Sequence, residues 1–151
     1  MSDRRDDVLA YLTSHNVATL ATTGSDGPWA SAVFYSSDGF VLEFLSSPRS
    51  RHAQNLATNA RCAAAIHEDY RLWTEIRGVQ IEGVVQALTG TRKSDAVARY
   101  EAKFPMVRSD QADAPIRAAL ERVEWYELIP DRCFFTDNTQ GFGHRDEISI
   151  V

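Results

Sequence analysis

The sequence predicts a mainly β protein, an antiparallel barrel, closed or partly open, of about seven strands with two or three peripheral helices. Two observations lead there. Short β-rich runs follow one another as sequential neighbours, separated by Gly- and Pro-containing turns, and the βαβα alternation of a doubly wound sheet is missing. Closing such a set of strands removes exposed edges, which favours a barrel over an open sheet.

The elements follow in order. From about Asp3 to His15, Val8, Tyr11 and Leu12 keep helical spacing until Asn16 breaks it. Val17–Thr23 and Pro28–Ser36 read as a hairpin around the turn cluster Gly24-Ser-Asp-Gly27. A further turn, Ser37-Asp-Gly39, leads into Phe40–Leu45 as the third strand of a meander. A short helix from about Arg49 to Asn59 places Ala53, Leu56 and Ala57 on one side, and Cys62–Ile66 forms a short apolar strand. In Ile76–Leu88, apolar Val79, Ile81 and Val84 alternate with Gln80 and Glu82, as in a half-buried strand, and Gly83 predicts a bulge or bend. A helix through Val97, Tyr100 and Phe104 ends at Pro105, and a helical turn spans Pro115–Arg122. Val123–Leu128 and Arg132–Thr136 read as two last strands joined through Pro130-Asp131.

Composition limits the function classes. The 151 residues are 44% apolar and 25% charged, enough for one core, and a single domain over residues 1–151 is expected. The net charge of −5 argues against nucleic acid and against an acidic membrane surface as partners. The first seven residues lack an apolar core segment, so no secretory signal and a cytoplasmic location are expected. Cys62 and Cys133 stand alone in apolar strings, as reduced core thiols would.

The chemistry concentrates in Leu45-Ser-Ser-Pro-Arg-Ser-Arg-His-Ala-Gln-Asn55, where Ser47 or Pro48 is expected to open the second helix. A helix start normally attracts acids, yet this one carries Arg49, Arg51 and His52, and no Asp or Glu occurs between Glu43 and Glu68. Backbone N–H groups, serine hydroxyls and guanidinium groups converging there suit a phosphate. The alternative is a solvated basic helix end paired with acids from elsewhere.

Phe44-Leu-Ser-Ser-Pro-Arg-Ser-Arg-His52, then Asn55-Leu56, Asn59-Ala-Arg61 and Arg77-Gly-Val-Gln-Ile-Glu-Gly83, in that order and spacing, resemble the pyridoxamine 5′-phosphate oxidase-related, FMN-binding split-barrel superfamily. Phe135-Thr-Asp-Asn-Thr-Gln-Gly-Phe-Gly143 narrows the likeness to a small uncharacterised bacterial subfamily. The resemblance implies a six- to seven-stranded antiparallel split β-barrel with peripheral helices. It also implies a homodimer holding FMN at the subunit interface and acting as a flavin-dependent oxidoreductase on a small-molecule substrate. It places Arg51 and His52 on the FMN phosphate, His52 standing where lysine is usual, with Ser46 as a hydroxyl on the same phosphate, and it counts Leu45 among the cofactor-binding residues. Ser31, Ala32 and Val33 fall on the strand along the isoalloxazine ring, and Gln80 on the facing strand near the partner's ring. Ser31 and Ser36 replace an Arg and a Lys of pyridoxamine phosphate oxidase, and Gly78 replaces a Gln, which argues against that reaction and leaves deazaflavin open.

The remaining candidates are weaker. His67-Glu-Asp69 and His144-Arg-Asp-Glu147 place ligand-type residues side by side, where a strand points them to opposite faces, so no metal site is expected. His144 is the one candidate axial ligand if the cofactor is haem, as in some split-barrel relatives. Trp29, Trp73 and Trp125 read as core or interface residues, with Trp73 the one placed to meet a cofactor, and His15 as a capping or core residue. No residue stands out as a general acid or base, and none is assigned as catalytic. A flavin- or haem-binding module without turnover remains the second reading.

Overall fold

A computed structural model describes residues 4–151. The Asp3 start expected for the first helix lies outside the described residues. The elements are α1 (Arg5–Ser14), β1 (Val17–Gly24), β2 (Gly27–Phe34), β3 (Ser36–Asp38), β4 (Val41–Ser46), α2 (Arg51–Thr58) and β5 (Arg61–His67). They continue with β6 (Arg77–Ala87), α3 (Gly90–Lys103), α4 (Ala114–Leu120), β7 (Glu124–Asp137) and β8 (Arg145–Ile148). One antiparallel sheet runs in the order β2-β1-β5-β6-β7-β4-β3, with β8 added on β7. The sheet curls so that β2 comes back into contact with β4 without pairing to it. This is the expected mainly β split barrel, with four α-helices among the described residues on its periphery rather than two or three.

Alternation along the strands explains the curl. Leu20, Ala64, Ile81 and Cys133 form one cross-strand row and all are buried, as are Ile66, Val79 and Phe135 beside them. Val8 and Leu12 of α1 and Tyr35, Phe44 and Leu128 belong to the same core. A second cluster, Leu88, Ala96, Tyr100, Phe104 and Trp125, buries α3 against the outside of β7. Cys62 and Cys133 are free and buried, and burial pushes their thiols up to about 11 and about 12.

Four expectations need correction. The meander stops after β2, and β4 pairs with β3 and β7 instead, because the sheet must wrap round to cover its apolar face. The hairpin's second strand breaks at Tyr35, whose buried ring and hydroxyl bond to Leu12 O (2.6 Å) turn the chain toward α1. The two C-terminal strands are one strand, β7. Gly83 faces Pro130 and Glu82 faces Arg132, so Asp131 is the extra residue of a bulge on β7. The proline therefore sits at the irregularity, and Gly83 admits it: a Cβ there would lie 2.0 Å from Ile129 O. Finally, β8 escaped the pattern, because it adds only the four residues Arg-Asp-Glu-Ile to the sheet.

Candidate functional site

The helix that carries the cationic cluster begins later than its sequence suggests. Ser50, not Ser47 or Pro48, is the N-cap of α2, its Oγ accepting from Ala53 N (3.2 Å) and donating to Ser47 O (2.8 Å). Arg51 and His52 thus form the first turn, with no acid among them, and Arg49 lies in the turn before it. Asn55 Nδ2 donates to Thr22 Oγ1 (3.1 Å) and fastens α2 to β1. Gly24 permits that approach, since a Cβ would stand 2.0 Å from Asn55 Oδ1.

No carboxylate of the described residues pairs with Arg49, Arg51 or His52. Arg51 lies 4.2 Å over the Trp29 ring and donates a long bond to Asp26 O (3.4 Å), contacts that aim the guanidinium without neutralising it. His52 Nε2 is 2.6 Å from Ser46 Oγ and 3.3 Å from Ser50 Oγ. Burial lowers the His52 pKa, so near neutral pH its imidazole is an uncharged hydrogen-bonding group and the positive charge comes from the arginines. A cavity of about 430 Å3 opens beside the helix start, lined by Ser47, Pro48, Arg49 and Arg122. Helix N–H groups, hydroxyls and unpaired guanidiniums around a cavity can hold a phosphate.

The structure divides the residues singled out in the sequence. Ser46, Arg51 and His52 gather at the start of α2. The Leu45 side chain packs on the Tyr100–Trp125 cluster. Ser31 and Val33 lie opposite the buried Leu20 and Ala18, toward the barrel, and Ser31 Oγ is buried with no hydrogen-bond partner among the described residues. Ala32 and Gln80 project from the opposite, outer face, in the cross-strand row Ala32, Thr19, Ala65, Gln80, Phe134. There Gln80 Oε1 accepts from Thr136 Oγ1 (3.0 Å) above a shallow cavity of about 320 Å3 floored by alanines.

Sequence reasoning missed Trp29 as the platform for Arg51, because cation–π partners on separate elements, β2 and α2, leave no spacing signal. The departures from the oxidase pattern have local reasons. Ser36 donates to the buried Glu43 (3.1 Å), and a side chain at Gly78 would meet Ile66 O at 2.9 Å. Trp73 and Phe142 meet edge to face on two exposed loops, and His144 Nε2 lies 3.1 Å from Asp146 on the surface. His15 caps α1 and stacks on Tyr11 at 3.8 Å. No helix of the described residues is long and apolar enough to cross a membrane.

Comparison with known proteins places these features in a family. Residues 5–136 match the family model described as pyridoxamine 5′-phosphate oxidase. A UPF0306 protein of Klebsiella pneumoniae is 31% identical over 137 residues, 89% of this chain and 86% of that one. A haem-binding protein from Mycobacterium smegmatis superposes with a TM-score of 0.79 at 22% identity, over 99% of this chain and 59% of that chain. The haem storage protein HutZ from Vibrio cholerae gives 0.67 at 16% identity, over 83% and 89%.

Proposed function

This chain belongs to the pyridoxamine 5′-phosphate oxidase family, and from that premise we propose that it binds FMN as a homodimer and acts as a flavin-dependent oxidoreductase on a small molecule. The observation that carries the reading is the start of α2, where no carboxylate of the described residues pairs with Arg49 or Arg51 and Arg49 lines the adjoining cavity. Arg51 would hold the phosphate by charge-assisted bonds, with the helix N–H groups, Ser46 and His52 completing its shell. The ring would lie along β2, where Ser31 Oγ still lacks a partner. A bound flavin supplies hydride or electron transfer, while the chain binds it, orients it and excludes water.

Two features support the dimer. Among the described residues β2 pairs only with β1, and its Gly27–Phe34 stretch is uncharged with Trp29 and Phe34 exposed, an edge that needs a cover. Gln80 lies on the sheet face opposite the one that holds Arg51, so a flavin held at α2 meets a Gln80 from another copy more readily than its own. Pyridoxamine phosphate is not the substrate proposed, since Ser31, Ser36 and Gly78 stand where its oxidase carries larger polar side chains.

Titration of dialysed protein with FMN and with riboflavin, followed by flavin fluorescence, tests the site. FMN should bind more tightly than riboflavin, and Arg51→Ala should remove about 1–3 kcal/mol of that preference. Equal binding of the two ligands, or an unchanged preference in Arg51→Ala, would refute the phosphate assignment. A deazaflavin titration alongside shows which ring the pocket prefers.

Haem is the second reading, favoured by what two of the structural neighbours bind, without turnover as a requirement. His144 is the axial ligand it would use, being exposed in the loop ahead of β8. A Soret band on adding hemin, lost in His144→Ala, would support it.

A further inference from the structure

Arg77 opens β6 and belongs to the Arg77-Gly-Val-Gln80 motif, yet the flavin reading gives it no task. Its guanidinium makes no hydrogen bond and no ion pair with any described residue, and its Nε is buried. It lies 5.8 Å from the Phe135 ring and within the electrostatic reach of Glu68. A half-buried guanidinium whose Nε–H lacks an acceptor is costly unless something else satisfies it.

Arg77 lines a cavity of about 390 Å3 between α1 and the β5–β6 connection, with Tyr11, Ser14, His15, Asp7 and Glu68. That volume falls within the roughly 300–1,000 Å3 of small-molecule sites. Both acids are already engaged: Asp7 pairs with Arg4 (3.1 Å), and Glu68 takes His15 Nε2 (2.8 Å) and the Tyr70 hydroxyl (3.3 Å). The Tyr11 hydroxyl donates to Arg77 O (3.2 Å), which holds the backbone of Arg77 against α1. The cavity thus keeps on a fixed wall a guanidinium whose Nε–H has no acceptor, its charge only partly offset by the field of Glu68.

We propose that this cavity is a second binding site, for a small organic carboxylate of single negative charge, anchored by Arg77. A carboxylate matches the guanidinium fork in two parallel bonds. The rim carboxylates of Asp7 and Glu68 disfavour a dianion such as phosphate more than a monoanion. The site is separate from the one proposed for FMN. Arg77 aligns with the Val17 end of β1, whereas α2 docks at its Thr22–Gly24 end.

Benzoate and inorganic phosphate serve as probes, titrated into the protein as purified and followed by NMR. The expected result is a saturable shift of the Arg77 Nε–H resonance and of the Tyr11, Ser14 and His15 amides with benzoate, and a weaker response to phosphate. Arg77→Gln should abolish saturation. Ala10→Phe, an exposed substitution on the cavity wall, should block it with the fold intact even if Arg77→Gln fails to fold. No saturable shift with benzoate, phosphate binding as tight as benzoate, or full benzoate binding in Ala10→Phe would each overturn the proposal.

Discussion

Glu43 on β4 and Glu127 on β7 stand directly opposite each other across the sheet, both buried, and each is held by an arginine from the same helix. Arg99 donates to both oxygens of Glu43 at 2.6–3.1 Å, and Ser36 adds a third donor. Arg92, two turns earlier on α3, reaches Glu127 at 2.5 Å, and Gln86 donates to the same oxygen at 2.6 Å. Two like charges facing across a strand pair repel, so the helix that supplies both cations is locked in register on the barrel.

The two arginines should differ in weight. The Glu43 side chain is 1% exposed with Arg99 at 38%, whereas Arg92 is 64% exposed and Glu127 keeps Gln86. Arg99→Ala should cost about 3 kcal/mol, the lower end for an orphaned buried charge because the arginine is partly solvated, and Arg92→Ala less than half as much. Urea unfolding midpoints decide it, and equal losses would mean the pairs are not the cause.

Gly83→Ala should destabilise by about 3 kcal/mol or more, since its Cβ would press on the Ile129–Pro130 backbone and neither strand can give way without losing the bulge. Removing Asp131 in the same chain would remove the extra residue of β7. If that deletion rescues the thermal stability of Gly83→Ala, the bulge is the reason for the glycine.

Proton linkage gives a prediction of definite sign. His52 has a native pKa below its ordinary 6.5, so the unfolded chain takes up a proton at a higher pH than the native one. Its contribution to stability is complete above that ordinary value and falls away as the pH drops through it. His52→Gln should flatten the Tm profile between about pH 5 and 7. A bound phosphate would favour the imidazolium instead. FMN affinity in the wild type should therefore rise as the pH falls from 8 toward 6, while that of His52→Gln stays level.

Cys62 and Cys133 should resist alkylation in the folded protein at pH 8, because burial both hides them and raises their thiol pKa to about 11 and about 12. Mass spectrometry after iodoacetamide should show neither labelled without denaturant and both labelled in it. Rapid labelling of either thiol in the native protein would show that the sheet opens locally.

The sequence by itself determined the local elements, because each rests on near neighbours. The alternation through Val79, Ile81 and the glycine at 83 made β6 and its irregularity legible, and the helical spacing of Val97, Tyr100 and Phe104 made α3 legible. It also exposed the carboxylate-free cations ahead of Ala53, since charge is a property of composition. Tertiary structure decided what touches what. Nothing near Phe40–Leu45 says that β4 passes β2 and pairs with β7, and nothing near Arg51 names Trp29 as its platform. It also moved the start of α2 to Ser50, packed Leu45 on the Tyr100–Trp125 cluster, and left the Arg77 Nε–H beside a cavity with no hydrogen-bond partner. Pairing and cavities depend on how a curled sheet closes over its apolar face. That closure minimises exposed area over the whole chain, so no short window of sequence contains it.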